Sequence, residues 1–306
     1  MTTETTQPQP PRGVGRVVTA MITPFDSAGA LDLNGAQRLA DHLLTSGVDT
    51  VLVNGTTGES PTLHGDEPWS LLRAVRDVVG DRGSVMMGTG SNDTAKTVAA
   101  TQRATDEGAD SVLVVAPYYN RPGQHGLLRH FQAVAAATDL PIVLYDVPAR
   151  TAMEIAADTL VELAGIEHIV GVKDATANLA KAADVQRRTA DAPGGFVAWC
   201  GADEVNLPML SVGAVGVVSV SAHLCAPEIA AMIRAFPTDP ARARALHLAC
   251  MPLHAALFAE PSPAPLKGAL NALGLPAGST RPPIVAASAD TVRAVLEAVK
   301  PLEAAR

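Results

Sequence analysis

Short runs of Val, Ile, Leu and Ala recur along the chain, at residues 16–22, 50–53, 84–88, 111–116, 141–147, 169–173, 196–200 and 215–220. They are apolar almost throughout instead of alternating, the pattern of parallel strands buried on both faces. Their starts fall 19 to 34 residues apart, the spacing of strand–helix units. Amphipathic stretches such as 34–46, 68–79, 94–107 and 124–137 lie between them, and Gly47, Gly80 and Gly108 stand where helix C-caps fall. Eight such units predict an α/β fold closed into a ring, a (β/α)8 TIM barrel. An open doubly wound sheet would carry a Gly-rich dinucleotide loop after its first strand, but here that strand runs into Thr19-Ala20-Met21-Ile22-Thr23-Pro24. After about Pro237 the strand pattern stops, and 239–259, 264–273 and 288–302 read as three helices. The expected organisation is a disordered, proline-rich tail over 1–12, a catalytic barrel over 13–236 and a C-terminal helical extension over 237–306.

Composition removes several classes of function. The net charge is −8 and no Lys/Arg-rich run occurs, which argues against a nucleic-acid surface. No uninterrupted apolar stretch reaches the ~20 residues of a membrane helix, and the tail has no signal-peptide core, so a cytoplasmic enzyme is expected. Cys200, Cys225 and Cys250 are odd in number and lack CxxC spacing, as reduced thiols would. The eight histidines include no HExxH, and His247 and His254 share one helix face with the core, so no metal site is expected. Gly88-Thr89-Gly90 lacks the third glycine of a dinucleotide fingerprint, and Gly213-Ala214-Val215-Gly216 reads as close helix–strand packing.

Four features could carry chemistry. Of the five lysines, Lys96, Lys181, Lys267 and Lys300 sit in helix-like polar settings, and Lys173 alone lies in a strand, within Ile169-Val170-Gly171-Val172-Lys173-Asp174. A lysine turned into a barrel is desolvated, which favours the neutral amine that attacks a carbonyl to give a Schiff base. The bland alternative is a solvated strand-end lysine paired with Asp174. Second, Asn54-Gly55-Thr56-Thr57-Gly58-Glu59-Ser60 follows the second strand and offers consecutive N–H groups and hydroxyls to an anion. Third, Tyr145-Asp146-Val147-Pro148-Ala149-Arg150-Thr151 places a phenol for proton relay and an arginine for a carboxylate. Fourth, Tyr118 and Tyr119 sit in Pro117-Tyr118-Tyr119-Asn120-Arg121-Pro122; with 3% aromatic residues in the whole chain, such a doublet stands out as a barrel cap or an interface element. All four lie at the C-terminal ends of strands or just after them, on the face where barrels place their sites.

On Gly55-Thr56-Thr57-Gly58-Glu59 with Glu67, and on Tyr145-x-x-Pro148 with Lys173 28 residues later, the chain resembles the pyruvate-dependent class I aldolases of the dihydrodipicolinate synthase and N-acetylneuraminate lyase superfamily. The resemblance runs from about Gly15 to the C-terminus. The Thr-Thr pair, the tyrosine doublet and Arg150-Thr151 are most similar to its dihydrodipicolinate synthase branch. That resemblance implies a lyase of lysine and diaminopimelate synthesis that needs no cofactor. Lys173 would form an imine with pyruvate, whose carboxylate the Thr56 and Thr57 amides would hold. Tyr145 would shuttle protons, polarised through the Thr57 hydroxyl, and Tyr119 would complete the triad from a neighbouring subunit of a homotetramer, a dimer of dimers. Arg150 would take the carboxylate of L-aspartate 4-semialdehyde, and the Gly201 and Val218 backbones would line the pyruvate pocket. Asp146 stands where many members have Asn, and Ala177 where many have Gly; neither is expected to touch the chemistry. The alternatives are a sister aldolase acting on a sugar acid or hydroxy-keto acid, a catalytically silent barrel, and a metal-dependent aldolase, which chelator would disable.

Overall fold

The computed structural model describes residues 9–304. Its eight strands pair in parallel, in sequence order, and close on themselves: β1 (Val17–Ala20), β2 (Thr50–Val53), β3 (Ser84–Gly88), β4 (Ser111–Val115), β5 (Ile142–Asp146), β6 (Ile169–Asp174), β7 (Val197–Cys200) and β8 (Gly216–Ser219). Each lies within the apolar run expected for it, except that β6 continues to Asp174. One α-helix follows each of the first four strands: α1 (Leu33–Thr45), α2 (Glu67–Val79), α3 (Thr94–Asp106) and α4 (Gln124–Ala135). Two follow β5, α5 (Pro148–Thr151) and α6 (Ala157–Leu163), and α7 (Leu179–Arg188), α8 (Asn206–Ser211) and α9 (Ala222–Ala235) complete the ring. Asp32, Asp93 and Asn178 cap α1, α3 and α7 by accepting first-turn amides. The single turn α5 went unforeseen, being too short for any periodicity. Pro148 starts it with a preset φ, and Ala152 ends it in the left-handed region.

Two apolar layers hold the barrel. Leu52, Met86, Leu113, Val143 and Trp199 fill its interior, and a larger cluster packs strands against helices. Trp199 is fully buried and donates its indole N–H to the Gly15 carbonyl at 2.8 Å, closing the barrel floor.

An irregularity in β6 decides where Lys173 points. Ile142 pairs with Ile169, but Val143 pairs with Gly171, so the register skips Val170. A bulge of this kind shifts the side-chain phase by one residue. Val170 packs in the interior and Val172 packs outward among the helices, so unbroken alternation from Val170 would aim position 173 outward too. After the bulge Lys173 faces inward, over the Tyr145 ring. Gly171 is needed at this point: a Cβ there would lie 2.1 Å from the Val197 carbonyl oxygen.

The chain ends in α10 (Pro240–Leu257), α11 (Ala264–Ala272) and α12 (Ala289–Ala304), with α10 packed on α9 and α12. Of the expected tail, residues 1–8 lie outside the described residues; Gln9 accepts a hydrogen bond from Arg16 at 3.1 Å. No helix among the described residues is long and apolar enough to cross a membrane. All three cysteines are free and buried.

Candidate active site

A cavity of about 660 Å³ opens where the strands end, and Thr56, Thr57, Tyr145, Arg150, Lys173 and Gly201 all line it. Five different strand-to-helix connections, those after β2, β5, β6, β7 and β8, converge there. Its far wall, with Met251, His254 and Phe258, comes from the α10 region. That wall was not legible in the sequence, where α10 read only as a packing helix.

Lys173 is 5% exposed, with its Nζ 4.1 Å from the centre of the Tyr145 ring. The pairing with Asp174 that a solvated strand end would make is not formed. Asp174 turns instead to Thr176, accepting from its amide at 2.8 Å and its hydroxyl at 2.7 Å. Among the described residues no carboxylate lies within ion-pair distance of Lys173. Gly201 gives the lysine its room, since a Cβ at 201 would sit 2.9 Å from Lys173 Cγ. An amine so placed has an aromatic face beside it and an open cavity before it, the surroundings an attacking nucleophile needs.

The loop after β2 is a pair of tight turns. Gly58 donates to the Gly55 carbonyl at 3.0 Å and Glu59 to that of Thr56 at 3.1 Å, and the Thr23 hydroxyl donates to the Gly58 carbonyl at 2.6 Å. The amides of Thr56 and Thr57 find no acceptor among the described residues, and both residues border the cavity. Adjacent free N–H groups form an anion-binding concavity. Glu59, in the left-handed region at φ 57°, turns its carboxylate away from the cavity. It accepts the Arg281 amide at 2.8 Å and pairs with Lys267 at 2.6 Å.

Two lysines therefore occupy settings the sequence did not suggest. Lys267 is 2% exposed, and Lys181 is partly buried beside Asp146 at 2.6 Å and Glu154 at 2.8 Å. Both lie on helices, as expected, but their polar partners are carboxylates within the protein. Asp203 was also missed: its carboxylate accepts the amides of Val220 and Ser221 at 3.0 and 2.9 Å, tying the β7 and β8 connections together.

The remaining expected residues are distributed as follows. Arg150 sits on α5 at the cavity edge, exposed. The side chain of Val218 packs in the barrel interior, and Val220, two residues on, forms the cavity wall. Tyr119 is 91% exposed at φ 70° and does not border the cavity within one chain. Among the described residues no group of three His, Cys, Asp or Glu is arranged to hold a metal ion.

The chain is similar to known proteins over nearly its whole length. Residues 13–302 match the dihydrodipicolinate synthetase family. The 4-hydroxy-tetrahydrodipicolinate synthase of Moorella thermoacetica is 46% identical over 287 residues, covering 94% of this chain and 97% of that one. A crystal structure of dihydrodipicolinate synthase from Bacillus anthracis is similar at a TM-score of 0.90 and 40% identity, covering 94% of this chain and 97% of that one. A monomeric dihydrodipicolinate synthase variant is similar at a TM-score of 0.91 and 35% identity, covering 95% and 97%. With the family match spanning nearly the whole chain and the lysine, tyrosine and threonine loop gathered around one cavity, the chain belongs to the dihydrodipicolinate synthetase family.

Proposed function

We propose that this chain is a Schiff-base-forming lyase that condenses pyruvate with L-aspartate 4-semialdehyde to 4-hydroxy-tetrahydrodipicolinate, in lysine and diaminopimelate biosynthesis. The observation that carries the reading is Lys173: a buried amine with no carboxylate partner among the described residues, facing the cavity that the Thr56 and Thr57 amides border. In this reading those amides receive the pyruvate carboxylate, and Lys173 Nζ attacks the keto carbon. Loss of water gives the imine, with the Tyr145 hydroxyl passing protons through Thr57. Loss of a methyl proton then gives the enamine, whose carbon attacks the aldehyde. The substrate's own amine displaces Lys173 as the ring closes, returning the free lysine. The protein supplies the covalent handle itself, so no cofactor is proposed.

Arg150 is proposed to grip the carboxylate of the aldehyde substrate. Losing a charge-assisted contact costs roughly 1.5–3 kcal/mol, about ten- to a hundredfold. Arg150→Ala should therefore lower kcat/KM for aspartate semialdehyde by that factor while borohydride trapping of pyruvate persists. Equal loss of both steps would make Arg150 a structural residue.

The exposure of Tyr119 supports a role across a subunit interface, in a cytoplasmic homotetramer built from dimers. Light scattering on the purified protein tests the assembly, and a monomer with full activity would remove Tyr119 from the mechanism.

A further inference from the structure

β5 ends on Tyr145-Asp146, and the segment that follows carries Arg150 out to the cavity edge on α5 and then returns. One acid fixes both ends of that excursion. The Ile155 amide donates to Asp146 Oδ1 at 3.2 Å, so the side chain at the start of the segment holds the backbone at its finish. Lys181 reaches in from α7, donating to Asp146 Oδ2 at 2.6 Å and pairing with Glu154 at 2.8 Å. Asp146 is fully buried, and the charged groups facing it are Lys181 on α7, Asp174 on β6 and Glu154 on its own segment. Farther out on α7, Arg188 is engaged by Asp158 and Asp184. Arg150 makes no ion pair among the described residues, so the direction of its side chain depends on the segment beneath it.

We propose that Asp146 and Lys181 are positioning residues for the second substrate: their ion pair clasps the Arg150 segment and so sets where the guanidinium meets the aldehyde's carboxylate. This rests on the assignment of Arg150 to that substrate. An asparagine at 146 would keep the bond to Ile155 but lose the ion pair. Protonation would do the same. Burial pushes the Asp146 carboxyl up to about 6, against the pull of Lys181, so the clasp loosens as the pH falls through that value.

The test compares the full-length protein with Asp146→Asn, Lys181→Met and the double variant, in steady-state assays with both substrates from pH 5 to 8. Each single variant should raise KM for aspartate semialdehyde about tenfold, because small misplacements of a binding group are costly. The double variant should be no worse than the weaker single. KM for pyruvate and borohydride trapping should stay within about twofold in all of them. In the unaltered protein, KM for the aldehyde should climb toward the Asn variant's value as the pH drops below about 6, while the Asn variant stays flat. Should Lys181→Met fail to fold, the near-isosteric Asn variant carries the test. An unchanged aldehyde KM in Asp146→Asn, or an equal rise for both substrates, overturns the inference while leaving the proposed reaction standing. Absence of turnover with aspartate semialdehyde in the unaltered protein overturns the reaction, and the inference with it.

Discussion

Lys173 and Lys267 are almost equally buried, at 5% and 2% exposure, yet their surroundings suit them to opposite tasks. Both stand over an aromatic ring, Tyr145 for one and Phe25 for the other, at 4.1 and 4.2 Å. The difference lies in the acceptors. Lys267 lies 2.6 Å from the Glu59 carboxylate and donates to the Ser279 carbonyl at 2.9 Å, which engages its N–H groups in fixed bonds. Burial still pulls its pKa below the ordinary lysine value, with Glu59 pulling the other way. Among the described residues Lys173 has no carboxylate partner, and it opens on the cavity. Burial alone does not make a nucleophile; burial without an acceptor, beside space for a carbonyl, does.

The two lysines should therefore fail in different ways when removed. Lys173→Ala should bring condensation down to the uncatalysed background and abolish imine trapping, with the fold intact by circular dichroism. A variant retaining a tenth of the activity would break the contrast, because the amine would then not be the covalent handle. Lys267→Met should act on stability instead, stranding the buried Glu59 carboxylate at a cost of about 3–5 kcal/mol in urea titration. Adding Glu59→Gln should return part of that loss. If the single variant unfolds at the same urea concentration as the unaltered protein, the pair is not the tie described here.

A smaller effect probes the connection that follows Lys173. Ala177 is exposed and held at φ 56°, a region where a Cβ is crowded, and it stands where the family resemblance led one to expect glycine. Ala177→Gly should relieve strain of about 1 kcal/mol, less what the freer unfolded chain takes back, and leave KM for pyruvate unchanged. A clear loss of stability would show that the bend is not strained.

The contrast between the lysines also marks how far the sequence could be read. Strands buried on both faces write themselves as apolar runs, so the barrel was legible, and a lysine at the end of such a run stood out at once. The inward aim of Lys173 was not. It depends on a bulge at Val170 that no local pattern announces, since residues 169–172 are apolar or glycine whichever way they point. For Lys181 and Lys267 the sequence shows only a polar setting on a helix. Asp146 lies 35 positions from Lys181, and Glu59 is farther still from Lys267, near the other end of the chain, so only folding brings each pair together. Asp146 was for the same reason set aside as remote from the chemistry, although it anchors the segment that bears Arg150. The α10 wall of the cavity escaped because its residues are ordinary core types.

Reduction of the protein with borohydride in the presence of pyruvate, followed by peptide mapping, tests the central claim most directly. The account predicts one reduced adduct per chain, on Lys173, with Lys181 and Lys267 unmodified and activity lost in proportion to labelling. An adduct on Lys267 or Lys181, or no adduct under conditions where the protein turns over, would contradict it.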